Sequence, residues 1–182
     1  MIQLQIDQET IEGCRKKQPQ AQENLYRICY PVFMRICLRY TRSYDDAANM
    51  LQEGFIKILM RIDGYKGAGD FIGWMRRIII NTALDQVRKE KIVGHVVMAE
   101  VPDMEDKESE EESKFIIDEK QMLVLIRELP RTQSVVFNLF VMENYSHQEI
   151  ADELLITVSS SKWYLFDARK ILQKKLAHYV NV

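Results

Sequence analysis

The sequence predicts an all-α protein built as two small helical domains joined by a flexible acidic linker. Three observations carry this. Apolar residues recur at helical spacing in two separate blocks, strand-like alternation and internal repeats are absent, and the stretch between the blocks is too acidic to bury itself. A chain of 182 residues can hold one ordinary domain or two small ones. With 47% hydrophobic and 29% charged residues it is globular, and only four prolines and seven glycines interrupt its helices. The net charge of -2 conceals basic and acidic segments that are well separated along the chain.

In the first block, a short helix is expected around Asp7 to Lys17. From Ala21 to Arg42, Leu25, Ile28, Cys29, Val32, Phe33, Ile36, Cys37 and Tyr40 follow helical spacing, and Pro31 should kink or split that helix. Ser43 caps the next helix, with Asp45 and Asp46 in the first turn, where the helix dipole favours negative charge. This helix should run to about Ile62, burying Ala47, Leu51, Phe55, Ile58 and Ile62. Its other side carries Asn49, Gln52, Glu53, Ile56 and Met60, an apolar centre with a polar rim that suits a docking surface.

The glycines of "DGYKGAG" make a loop, and Asp70 is the expected N-cap of a helix lasting to about Lys91. On that helix Trp74, Ile78, Asn81, Asp85 and Arg88 share one side, and Arg76, Arg77, Arg88, Lys89 and Lys91 make it basic. A basic helix beside an aromatic loop residue, Tyr65 followed by Lys66, has the parts single-strand binding needs. Charge engages phosphates, and a ring can stack on an extruded base for roughly 1–3 kcal/mol.

Residues 100–119 hold ten acidic residues against Lys107 and Lys114, so 94–118 reads as a linker between domains 1–93 and 119–182. Beyond it, Met122, Leu123, Leu125, Ile126 and Leu129 define one helix, ended by Pro130, and Thr132 to Met142 a second. Ser146 and Glu149 form a capping box that starts a third, whose inward face is Ile150, Ala151 and Leu154. After a tight turn near Leu155 and Ile156, Thr157 can cap a last helix with Ser161, Leu165, Ala168, Leu172 and Leu176 as its core stripe. Trp163, Phe166, Lys170 and Lys174 lie opposite. Two helices in tight succession, the second basic and aromatic outside, fit a helix-turn-helix for the DNA major groove.

Several classes of function are set aside. Cys14, Cys29 and Cys37 lack C-x-x-C spacing, and the last two fall on apolar helix positions, so buried free thiols are expected. His95, His147 and His178 are scattered, so no metal site or cofactor is expected. No nucleophile is paired with a base and there is no phosphate-binding glycine motif, which argues against an enzyme. The acidic N-terminus is unlike a signal peptide and no apolar run approaches ~20 residues, so a cytoplasmic protein without membrane insertion is expected.

Taken together, these residues resemble the extracytoplasmic-function group of the sigma-70 family, bacterial RNA polymerase initiation factors. "RYTRSYDDAANMLQEGFIKI" is similar to region 2.2, "FIGWMRRIIINTALDQVRK" to regions 2.3 and 2.4, and "IRELPRTQSVVFNLFVMENYSHQEIADELLIT" to region 4. The resemblance implies a monomer when free that binds core polymerase and promoter DNA and is held in check by an anti-sigma factor. It implies that Asn49, Gln52, Glu53, Ile56 and Met60 meet the β′ coiled coil and that Leu139 and its apolar neighbours face the β flap. Tyr65 and Asn81 would hold a flipped base of the minus-ten element, Lys66 and Trp74 would bind minus-ten DNA beside them, and Arg76, Arg77 and Arg88 would contact the backbone nearby. Ser159, Ser160, Lys162, Trp163, Tyr164 and Lys170 would address the minus-thirty-five element. The linker would thread the basic RNA path of the polymerase.

The chain departs from the family pattern at three places. Asn49 stands where an aspartate is usual, and "VSSSKWYLFDAR" is poorer in arginine, with Tyr164 and Asp167 at commonly basic positions. Leu155 replaces the usual turn glycine, which predicts a turn that avoids positive φ. The alternative reading is a stand-alone helix-turn-helix regulator, which would dimerise on duplex half-sites and need neither loop nor docking stripe.

Overall fold

The computed structural model describes residues 5–67, 69–93 and 119–180, and the linker expected at 94–118 lies outside them. The chain forms two compact units, Met1–Lys89 and Glu90–Val182. Among the described residues all regular structure is helical.

In the first unit α1 spans Gln8–Arg15, α2 Pro19–Tyr40, α3 Tyr44–Arg61 and α4 Phe71–Val93, with a 3-10 turn at Ile62–Gly64. Local chemistry sets the starts. Asp7 accepts from Thr10 N at 2.6 Å, Ser43 from Asp46 N at 3.0 Å, and Asp70 from Gly73 N at 2.9 Å, each satisfying a donor that the first turn leaves open. Proline begins α2 where its missing N–H costs nothing. Pro31 does not split α2, which is one continuous element. The proline lies on the exposed side, where the carbonyl it leaves without a donor can face water.

Leu25, Phe33, Tyr40, Met50, Leu51, Ile58, Met75, Ile79 and Leu84 make the core, with Cys29 and Cys37 buried among them as free thiols. The expected stripe of α3, Ala47, Leu51, Phe55, Ile58 and Ile62, is buried throughout. Gly54 lets α3 approach α4 closely: a Cβ there would sit 2.6 Å from Ile79 Cδ1.

In the second unit α5 spans Glu119–Arg127, α6 Arg131–Phe137, α7 His147–Leu154 and α8 Val158–Val180. A π-helical segment, Asn138–Met142, continues α6. The long α8 is packed by α5, α6 and α7, and Leu125, Ile126, Leu139, Ile150, Leu154, Leu165 and Leu172 fill the space between them.

Candidate polymerase and nucleic-acid interfaces

The face of α3 opposite its core stripe is open. Asn49 and Gln52 are exposed and Glu53 half-buried, while Ile56 and Met60 are 52% and 79% exposed. The described large apolar side chains exposed in the first unit are those two and Tyr44, whose hydroxyl lies 2.5 Å from that of Tyr30. Ile56 and Met60 therefore form an apolar pair on an otherwise polar stripe, as expected from their spacing.

Charge ties this face to α4. Lys57 Nζ lies 2.9 Å from Glu53 Oε1 and 3.2 Å from Asp85 Oδ2, and Arg88 Nη1 lies 3.1 Å from Asp85 Oδ1. The hydrogen bond from Lys57, more than the nearby positive charge, holds the Glu53 carboxyl below its usual range. Arg88 is half-buried and engaged by Asp85 three residues before it. Of the other two arginines Arg77 is exposed and Arg76 half-buried. The stripe expected through Trp74, Ile78, Asn81, Asp85 and Arg88 is also interrupted, because Ile78 is buried. Ile78, Ile79 and Ile80 are all buried, so α4 is packed over a wider arc than one stripe allows.

The loop before α4 corrects the expectation of a ring offered to solvent. Tyr65 is only 9% exposed. Its ring centroid lies 4.8 Å from that of Phe71 and 5.7 Å from that of Trp74, and Phe71 and Trp74 are themselves stacked at 5.6 Å. The Tyr65 hydroxyl donates to the Gly69 carbonyl at 2.7 Å, closing the loop on itself. Each such aromatic pair contributes roughly 0.5–1.5 kcal/mol beyond area burial, so the ring acts as an internal strut. Lys66, Gly67, Gly69 and Asp70 are exposed above it, and Trp74 and Asn81 are half-buried. Gly67 and Gly69 hold φ of 75° and 86°, a region closed to most side chains.

The second unit carries two helices in the expected arrangement. The Ser146 hydroxyl accepts from Glu149 N at 3.2 Å, and Glu149 Oε2 accepts from Ser146 N at 2.8 Å. Thr157 caps α8 by accepting from Ser160 N at 3.0 Å. Between them Leu155 takes φ 54° and ψ 49°, so the turn is left-handed although its residue is not glycine. The expectation that leucine would avoid positive φ is wrong. The turn needs that conformation so that the Leu155 and Ile156 N–H groups can both reach the Ala151 carbonyl, the second at 3.0 Å.

On α8, Ser161, Leu165, Ala168 and Leu172 are buried as expected, and Leu176 is half-buried. Ser159, Lys162, Phe166 and Lys170 are exposed, while Ser160, Trp163 and Tyr164 are half-buried, the two rings meeting edge-on at 5.2 Å. Asp167, the acid at a commonly basic position, turns sideways to accept from Gln133 Nε2 of α6 at 3.0 Å. His147, given no role from the sequence, stacks on Phe140 at 4.5 Å and places Nδ1 2.9 Å from Ser161 Oγ. Leu139, expected to face a partner, is fully buried in the core of this unit. The large apolar side chains exposed among the described residues of this unit are Val124, Val141, Leu155 and Phe166.

Residues 25–92 match Sigma-70 region 2, and residues 119–172 match Sigma-70 region 4. The chain belongs to the sigma-70 family. Within that family it is similar to the RNA polymerase sigma-H factor of Pseudomonas aeruginosa, 25% identical over 97% of this chain and 96% of that protein. It is also 25% identical to the ECF RNA polymerase sigma-E factor of Haemophilus influenzae, over 74% of this chain and 76% of the relative. The Bacillus subtilis RNA polymerase sigma factor SigV matches at 25%, covering 79% and 84%. The fold is shared with the sigma factor RpoE of Bartonella quintana, solved with the anti-sigma factor NepR, at a TM-score of 0.52 and 16% identity over 85% of this chain and 96% of RpoE. This sigma-70 member is thus of the extracytoplasmic-function type, a transcription initiation factor rather than a stand-alone regulator. No helix among its described residues is long and apolar enough to cross a membrane.

Proposed function

We propose that the chain docks on core RNA polymerase through α3, reads minus-ten and minus-thirty-five elements with its two units, and opens the promoter by binding alone. The observation that carries the docking is the exposed pair Ile56 and Met60, rimmed by Asn49, Gln52 and Glu53. Exposed apolar groups inside a polar rim are the usual anatomy of a protein interface. The partner is the β′ coiled coil of polymerase. In region 4, Val124 and Val141 take over the role first expected of Leu139 and face the β flap.

The buried Tyr65 moves the base-holding site. The extruded minus-ten base lies against the loop Lys66–Asp70 and the half-buried Trp74 and Asn81, with the Tyr65 ring beneath as support. Arg77 and Arg76 serve the backbone, and Arg88 serves it only in competition with Asp85. Extrusion costs a few kcal/mol per base. Capture on the loop offsets that cost without nucleotide hydrolysis. Ser159, Lys162 and Lys170, with the edges of Ser160, Trp163 and Tyr164, address the minus-thirty-five major groove. The domains are residues 1–93 and 119–182, with 94–118 as the acidic strap. The protein works in the cytoplasm, has no catalytic activity, and is a monomer when free. An anti-sigma protein covers its surfaces, as NepR accompanies RpoE.

Run-off transcription with core polymerase over a pool of random promoters tests this reading. Specific, polymerase-dependent initiation supports it, and operator binding by a dimer without polymerase would replace it with the regulator. Ile56→Asp should weaken core binding by tenfold or more, the scale of an interface hot spot, with helix content unchanged.

A further inference from the structure

The loop that carries the proposed base site is held from outside region 2. Its exposed part runs through two glycines at positive φ, which fix little by themselves. The ring and hydroxyl of Tyr65 anchor one side chain. The backbone is anchored by Tyr65 N, which donates to Ile62 O at 3.1 Å, and by one long-range bond from α1. Arg15 Nη2 donates to the Tyr65 carbonyl across 50 residues of sequence. The Nη1 of the same guanidinium donates to Glu12 Oε1, so a fork joins an acid one turn earlier to the loop backbone.

The placement of Arg15 is built rather than incidental. Asp7 caps α1, Ile11 and Cys14 bury its inner face, and the helix packs on the Ile62–Gly64 turn. Lys17 then takes φ 57°, stopping α1 immediately after the arginine. A cation in the last turn of a helix is favoured by its dipole. The intrahelical pair with Glu12 alone would contribute only a few tenths of a kcal/mol. A charge-assisted bond to a carbonyl is stronger and fixes direction as well.

We infer that Arg15 is a positioning residue for promoter opening: it braces the Tyr65 carbonyl so that the loop keeps the shape that receives a base. The inference rests on the proposed role of that loop. It assigns to α1, which precedes the matched residues 25–92, a part in melting rather than in docking or duplex reading.

The test compares wild type, Arg15→Ala and Arg15→Lys as full-length chains. Hydrogen exchange is read in the free protein, and permanganate reactivity of thymines in holoenzyme on a promoter chosen from the random pool. Loss of one charge-assisted bond should speed exchange of the Tyr65 amide, which is bonded to the Ile62 carbonyl, about tenfold and slow opening several-fold, with core affinity unchanged. Arg15→Lys should recover part of both, since it keeps one charged donor but not the fork. The opening defect should shrink on a promoter with a preformed bubble. Unchanged exchange in Arg15→Ala would overturn the brace and leave the loop's role standing. Faster exchange with undiminished opening would instead overturn the loop's role, and the inference with it. In a Trp163→Phe background, Trp74 fluorescence on heating checks that the unit folds, and Arg15→Gln replaces the alanine variant if it does not.

Discussion

Leu155 offers a measurement of backbone strain almost free of side-chain contributions. It is 82% exposed, so removing its side chain gives up little burial. Its φ of 54° is costly for any residue with a Cβ, by roughly 1–2 kcal/mol. Glycine removes that cost but loses more backbone entropy on folding, about 0.5–1 kcal/mol relative to alanine. Leu155→Gly should therefore stabilise the second unit by about 0.5–1 kcal/mol. For a unit of this size 1 kcal/mol moves the melting temperature by roughly 4–8 °C. The chain has two tryptophans, Trp74 and Trp163, one in each unit, so a Trp74→Phe background lets Trp163 report the second unit alone. Leu155→Ala keeps the Cβ and should stay within about 0.5 kcal/mol of wild type, whereas Leu155→Val should be less stable. If alanine stabilised as much as glycine, the gain would come from losing an exposed leucine, and the strain argument would fail.

Three further outcomes follow from the first unit. Gly54→Leu should cost about 1–3 kcal/mol by overpacking against Ile79, read as a lower denaturation midpoint, whereas Gly54→Ala should cost less because the Ile79 tip can turn. Burial pushes the Cys29 and Cys37 thiols up to about 12 from 9.0, so the folded state favours the protonated form. Their stabilisation is complete below pH 9.0 and declines as pH rises towards about 12; thiol labelling in mildly alkaline buffer should accordingly follow unfolding. Glu53 has a folded pKa below its ordinary 4.5, so its contribution is present above that value and lost as pH falls beneath it. In Lys57→Met the main cause is gone, and the acid-induced loss of stability should become shallower; an unchanged acid profile would show that Lys57 does not hold that carboxyl down.

What could be read from the chain was what its chemistry decides within one or two helical turns. Ser43, Asp70, Ser146 and Thr157 each cap a helix through an atom three residues ahead, so the helix starts were legible. The stripes of α3 and α8 followed from period alone. Periodicity says nothing about a loop, and the burial of Tyr65 depends on Phe71 and Trp74 folding back over it. The Arg15 bond to Tyr65 and the Gln133 bond to Asp167 span 50 and 34 residues, and no local pattern announces either. Leu155 was misread because the demands of the turn outweighed the preference of the residue. Leu139 was misread because an apolar residue looks the same in sequence whether it faces a core or a partner.

The length of α8 has a mechanical consequence. Its 23 residues extend about 35 Å at 1.5 Å per residue. The end that begins after Thr157 is the one proposed for the groove, while Lys175 near the far end pairs with Glu128 beside α5. Because α5, α6 and α7 all pack against it and its buried stripe runs from Ser161 to Leu172, the rod is held along its length and moves with its unit as one body. Charge reversal at Glu128 removes a partly exposed ion pair worth at most about 1 kcal/mol, and would thus leave the surface that α8 presents in place, costing the second unit only a little stability.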